Sequence, residues 1–158
     1  MADRSKALPP GQNGPGENAP GQNHPGDLAP VLETAKGWGI ELHTEAVGHL
    51  SRYLDLMLEK NQHINLTAIR DRARAKSLHL LDSLAAAMLD VPDGPWMDLG
   101  TGNGYPGSVA AVLWPEEEGI LVDRTRKKVI AVQELLEGSG IAAASRVTTQ
   151  WIDVSQAP

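Results

Sequence analysis

The chain has 158 residues (16.9 kDa), a formal net charge of −6 and a pI near 5.3, with 41% hydrophobic and 22% charged residues. That suits one domain, with or without a tail, around a mostly aliphatic core, since Phe is absent and aromatics are 4%; the negative charge argues against a protein that holds nucleic acid by bulk positive charge but leaves room for local basic patches, and no stacking platform for single-stranded bases is visible. The lack of cysteine excludes a disulfide framework, a thiolate metal site and a cysteine nucleophile, and the longest apolar run, Leu84–Leu89, falls far short of the roughly 20 residues of a bilayer span, so with no signal-like apolar segment at the start a cytoplasmic location is expected.

Residues 1–28 differ in kind from the rest. Pro9-Pro10-Gly11-Gln12-Asn13 is echoed by Gly14-Pro15-Gly16-Glu17-Asn18, by Ala19-Pro20-Gly21-Gln22-Asn23 and by a decayed copy, His24-Pro25-Gly26-Asp27-Leu28. With almost nothing to bury, this segment cannot offset its ordering entropy and is expected to be a disordered tail. A helical region over 29–92 and an α/β region over 93–158 are expected to follow.

Pro30–Gly37 predicts a short helix ended at Gly37 or Gly39. Thr44 reads as an N-cap, and Val47, Leu50, Leu54, Met57 and Leu58 repeat at helical spacing to about Lys60. After a loop over 61–70, Asp71 caps a second helix with Leu78, Leu81, Ala85 and Met88 as its buried stripe, stopped by Pro92-Asp93-Gly94-Pro95. His79 and Asp82 share a face of it, but with no third ligand nearby packing is expected there, not a metal site. His43, His49 and His63 read as surface residues, Glu116-Glu117-Glu118 as a solvated turn, and Ser83 lacks the partners of a nucleophile.

The pattern then changes. Trp96–Leu99 predicts a strand, Pro106–Leu113 a helix, Gly119–Asp123 a buried strand, Thr125–Glu137 a helix and Arg146–Gln150 a third strand. Strands alternating with helices specify a parallel sheet with crossover helices.

The strongest chemical signal is Asp98-Leu99-Gly100-Thr101-Gly102-Asn103-Gly104-Tyr105-Pro106-Gly107. Glycines between a strand and a helix allow a sharp turn and close approach of backbone N–H groups to a ligand. Asp123 ends the next strand, where a carboxylate can accept both hydroxyls of a ribose. Two nucleotide ligands compete. Gly102, Gly104 and Gly107 satisfy the dinucleotide spacing, with Asp123 in the place of its acid. S-Adenosyl-L-methionine is favoured by three features: Asp98 before the first glycine, where it can face a cationic amino group; Pro106, which removes a donor that a pyrophosphate would use; and the long helical region before the first strand. A tight turn without ligand is the third reading. Two basic clusters flank the turn, Arg70/Arg72/Arg74/Lys76 and Arg124/Arg126/Lys127/Lys128, and each reads equally as a phosphate grip or a solvated face.

Here the chain resembles a family. Asn65-Leu66-Thr67-Ala68-Ile69, His79-Leu80-Leu81-Asp82-Ser83-Leu84, the turn from Asp98 to Gly107, and Leu121-Val122-Asp123 followed by Arg126-Lys127-Lys128-Val129 are similar in order and spacing to the glucose-inhibited division protein B family. Its members are bacterial methyltransferases acting on guanine N7 of small-subunit (16S) ribosomal RNA. The resemblance covers roughly residues 29–153. It implies a Rossmann-like S-adenosylmethionine-dependent methyltransferase fold, here the N-terminal half with parallel strands 1–3, preceded by a small helical region.

Asp98, Gly102, Gly104 and Asp123 are cofactor contacts on the chemistry of the turn and the strand end, and the resemblance implies further contacts at Gly100 and Tyr105 and at Ile152 and Asp153, the pair that meets the adenine. Asp153 stands where the family usually has Glu, and Trp151 where it has Arg or Ala. Arg124, Arg126, Lys127 and Lys128 are the RNA-binding candidates; no catalytic residue is assigned and no metal is expected. The implied partner is 16S rRNA or the small ribosomal subunit, with no membrane. The family fold has seven strands and this sequence stops after the third, so truncation, little or no activity of the chain alone, and self-association through an uncovered sheet edge are expected. The alternatives are a non-catalytic remnant that binds cofactor or a partner, and an NAD-dependent oxidoreductase.

Overall fold

The computed structural model describes residues 25–88 and 93–153. The repeat lies outside them except at its end, and that end is part of the folded body. After a 3₁₀ turn at Pro25–Leu28, Leu28 is fully buried and Asp27 pairs with Arg72 Nε (2.7 Å) and Lys76 Nζ (2.6 Å). The body expected from Ala29 therefore begins earlier. The Lys76 hydrogen bond, with help from Arg72, holds the Asp27 carboxyl below its ordinary 3.8. The stabilisation of these pairs is thus present at neutral pH and is lost as pH falls through the lowered value.

Helix α1 is Ala29–Gly37 and α2 is Thr44–Lys60. His43, in extended conformation, occupies the N-cap position of α2, and Thr44 is its first helical residue, one place later than its type suggested. Val47, Leu50, Tyr53, Leu54 and Met57 of α2 are buried, and Leu58 is half-buried.

The second helix is less regular than its sequence suggests. Asp71 accepts the Arg74 N–H (2.8 Å) and caps α3 (Arg72–Ala75); a π-helical segment Lys76–Leu81, α4 (Asp82–Ala85) and a 3₁₀ turn Ala86–Met88 continue it. A π-helical turn holds an extra residue and rotates everything after it. Leu80 and Leu84 consequently join Ala75 in the core, whereas Leu78 and Met88, expected in the stripe, are 46% and 61% exposed.

The remaining elements alternate as expected: β1 Trp96–Leu99, α5 Gly107–Leu113, β2 Glu118–Asp123, α6 Arg126–Ser139, α7 Ile141–Ala144 and β3 Arg146–Trp151. Helix α5 starts at Gly107, with Pro106 at the cap position. Glu118, assigned to a turn from sequence, opens β2 and pairs with Arg146 across the strands (3.2 Å). The strands form a parallel sheet in the order β1-β2-β3, with Asp98 opposite Leu121 and Asp123 opposite Trp151. This is the α/β, Rossmann-like arrangement that the sequence predicts.

Helices cover one face of the sheet. Leu121 and Asp98 pack under Gly107 of α5, and Thr149 bonds Gln133 of α6 (2.8 Å). Helix α2 lies outside α6: Arg52 Nε donates to Gly138 O (2.5 Å), His49 Nδ1 meets Ser139 O (2.8 Å), and Lys60 pairs with Glu134. His49 is therefore half-buried at a helix interface and not a surface residue. Side chains alternate along a strand, so Met97 and Leu99 point to the other face, where they are 58% and 70% exposed. The outer edge of β1 has no partner among the described residues.

Candidate functional site

The carboxyl ends of β1 and β2 meet at the glycine-rich turn. Gly100 and Thr101 fold back so that both N–H groups donate to Val122 O (2.8 and 3.0 Å). This path needs left-handed backbone at Gly100, Gly102 and Gly104 (φ +83°, +61° and +89°), which costs other residues roughly 1–2 kcal/mol each. A Cβ on Gly104 would also collide with the Tyr53 hydroxyl. At Gly100 nothing lies within 4 Å of such a Cβ, so its backbone borders open space, as a cradle for a ligand requires.

Two carboxylates organise the turn. Asp98 Oδ2 accepts from Thr101 Oγ1 (2.7 Å) and from the Gly107 N–H (2.9 Å), which places a negative charge on the first amide of α5. Its Oδ1 takes no hydrogen bond among the described residues. Asp123 is buried and bridges two segments: Oδ2 accepts the Gly102 N–H (3.0 Å) and Oδ1 the Thr125 N–H (2.7 Å). Each of its oxygens keeps a lone pair for a further donor. The Ile152 N–H donates to Asp123 O (3.2 Å), which carries the β3 ladder one step past its last residue and brings Ile152 beside Asp123. Asp98, Gly100, Gly102, Asp123 and Ile152 thus gather at one end of the sheet.

Tyr105 and Gly104 belong to the packing beneath the turn. The Tyr105 ring is buried edge-on to Tyr53 (centroids 5.4 Å, 85°) and stacked on His79 (5.5 Å, 8°). Burial pushes the Tyr105 hydroxyl far above its ordinary range. Any ligand contact from Tyr105 would come through its backbone. His79 Nε2 bonds Thr67 Oγ1 (3.0 Å), and desolvation lowers the His79 pKa from 6.5, only partly opposed by Asp82. Asn61 shapes the loop that presents Thr67, accepting the Leu66 and Thr67 N–H groups (2.9 and 3.0 Å). Three of the four sequence motifs therefore converge on the chain Thr67–His79–Tyr105, which seats the turn on the helical region.

Thr101, Thr125 and Tyr53, which sequence reasoning did not single out, hold this geometry. Tyr53 donates to Asn103 O (3.0 Å) from α2. Thr125, two residues after an Asp, carries the signal of an Asx turn; Tyr53 left no local signal, because its partner is fifty residues away. Among the described residues no group of three His, Cys, Asp or Glu side chains could hold a metal ion, and no helix is long and apolar enough to cross a membrane.

The basic clusters separate. Arg72 and Lys76 are consumed by Asp27 and Asp55 and hold the helical region together. Arg124, Arg126 and Lys127 are exposed and Lys128 half-buried, and none has an ion-pair partner among the described residues. They surround the N-terminus of α6, where the helix dipole already disfavours cations.

Comparison with known proteins bears on this site. The pattern of the family described as rRNA small subunit methyltransferase G matches residues 47–151. Proteins named ribosomal RNA small subunit methyltransferase G are 36% identical in Acinetobacter baylyi (69% of this chain, 51% of the relative) and 37% in Acinetobacter baumannii (71% and 55%). That of Leuconostoc mesenteroides is 30% identical (80% and 55%). The chain spans about half the length of the curated relatives it matches.

Proposed function

Since the chain belongs to the rRNA small subunit methyltransferase G family, we propose that it binds S-adenosyl-L-methionine at the turn from Asp98 to Gly107 and serves methylation of guanine N7 in 16S ribosomal RNA, in the cytoplasm. One observation carries the choice of cofactor: Asp98 Oδ2 sits on the Gly107 N–H at the start of α5. A dinucleotide site needs that helix N-terminus for its pyrophosphate, and a carboxylate already there repels one. The same carboxylate suits the cationic amino group of a methionine moiety.

When bound, the cofactor supplies an electrophilic methyl group on a sulfonium. The residues of the chain bind and orient. Asp98 Oδ1 takes the ammonium, Asp123 accepts ribose hydroxyls, the backbone at Gly100 and Gly102 admits close approach, and Ile152 with Asp153 borders the adenine. Guanine N7 has a free lone pair, so no side chain has to remove a proton; the contribution of the protein is positioning and exclusion of water. Arg124, Arg126, Lys127 and Lys128 would hold RNA phosphates. The β1 edge that has no partner among the described residues, with Met97 and Leu99 exposed beside it, favours self-association.

Thermal melting decides between the two ligands. S-Adenosylhomocysteine at about a hundred times its Kd is expected to stabilise the fold by roughly 2.7 kcal/mol, raising the midpoint by several degrees, while NAD leaves it unchanged. Stabilisation by NAD alone would favour an oxidoreductase.

A further inference from the structure

Trp151 stands apart from the contacts described so far. It is the last residue of β3, opposite Asp123, at the end of the sheet where the turn lies. Its indole Nε1–H donates to Arg124 O (2.9 Å), yet the residue is 51% exposed. The hydrogen bond ties the edge of the indole to the turn into α6, while half of the residue's surface stays open to solvent. Around it the turn into α6 carries Arg124, Arg126, Lys127 and Lys128. An oriented indole among unpaired cations is the pairing that single-stranded nucleic acids exploit, bases stacking on the ring and phosphates lying on the charges.

We propose that Trp151 is a stacking platform for an unpaired base of the RNA, with Arg126 and Lys127 holding the phosphates beside it. This rests on the reading of RNA as substrate. The adenine of the cofactor is the competing occupant, but S-adenosylmethionine carries no phosphate and gives the cations no task. A platform of this kind is invisible to composition, which counts aromatics; one aromatic suffices where the fold sets it beside the charges.

The test is binding of a fluorescent RNA of about ten unpaired nucleotides to the whole chain, by anisotropy across a salt series. Trp151→Ala should weaken binding about 10-fold with the salt slope unchanged, because no phosphate contact is lost. Trp151→Phe, which keeps a ring, should stay within about three-fold of the parent. Arg126→Ala with Lys127→Ala should instead flatten the salt slope. S-Adenosylhomocysteine affinity of Trp151→Ala should stay within about two-fold of the parent, which also shows that the variant is folded. RNA binding unaffected by Trp151→Ala would overturn the stacking role and leave the RNA reading standing. Loss of S-adenosylhomocysteine affinity in folded Trp151→Ala would assign the ring to the cofactor. A parent chain that binds no RNA would sink both proposals.

Discussion

Gly104→Ala is expected to destabilise the protein by about 3–5 kcal/mol, a large part of the 5–15 kcal/mol typical of a whole domain. Two costs add. Gly104 has φ +89°, which an L side chain adopts only with strain of about 1–2 kcal/mol. Its Cβ would also collide with the Tyr53 hydroxyl and crowd Val132 of α6. Tyr53 is fully buried and cannot retreat without breaking its bond to Asn103 O and its edge contact with Tyr105; a buried hydroxyl left unpaired costs about 1–3 kcal/mol more. Denaturant unfolding measures the sum. Gly102→Ala is the control: it has the same left-handed backbone, but its nearest neighbour would be 3.8 Å away, so only the strain is expected. Equal losses at the two positions would mean that Tyr53 does not hold the turn.

The second large effect is at Asp98, where stability and binding should separate. Asp98→Ala removes the acceptor for both the Thr101 hydroxyl and the Gly107 N–H. It should destabilise the fold by about 2 kcal/mol and lower the affinity for S-adenosylhomocysteine by about 10–100-fold, as expected for a charged hydrogen bond of 1.5–3 kcal/mol. Asp98→Asn keeps one acceptor oxygen but no charge. It should fold within about 1 kcal/mol of the parent and still bind at least about 10-fold more weakly. Parent-like affinity in Asp98→Asn would mean that the carboxylate serves the turn alone and does not face a cation.

Much of this arrangement is legible in the sequence because it is local. Strand β2 is a short apolar run ended by an acid, and the glycines at 100, 102 and 104 stand where φ is positive. Asp71 is three residues from the amide it caps. What could not be read depends on distant partners. Periodicity assumes 3.6 residues per turn, so the π-helical segment 76–81 put Leu80 and Leu84 in the core in place of Leu78 and Met88. Composition marked Asp27 and Leu28 as tail, but Lys76 and Arg72, more than forty residues on, draw them into the body. The same pairing removed half of one basic cluster from consideration as an RNA contact. Trp151 looked like a departure from the family pattern, and only the hydrogen bond to Arg124 O gives it an orientation.

The central claim is that the turn between the two carboxylates is where S-adenosylmethionine binds. Calorimetric titration of the whole chain with S-adenosylhomocysteine, against Asp123→Ala, tests it most directly. Asp123 joins the Gly102 N–H to the Thr125 N–H and keeps a lone pair on each oxygen for a ribose hydroxyl. Saturable one-to-one binding by the parent, lost by at least about 10-fold in a folded Asp123→Ala variant, is the predicted result. Undiminished binding by Asp123→Ala, or no binding by a folded parent chain, would contradict the assignment.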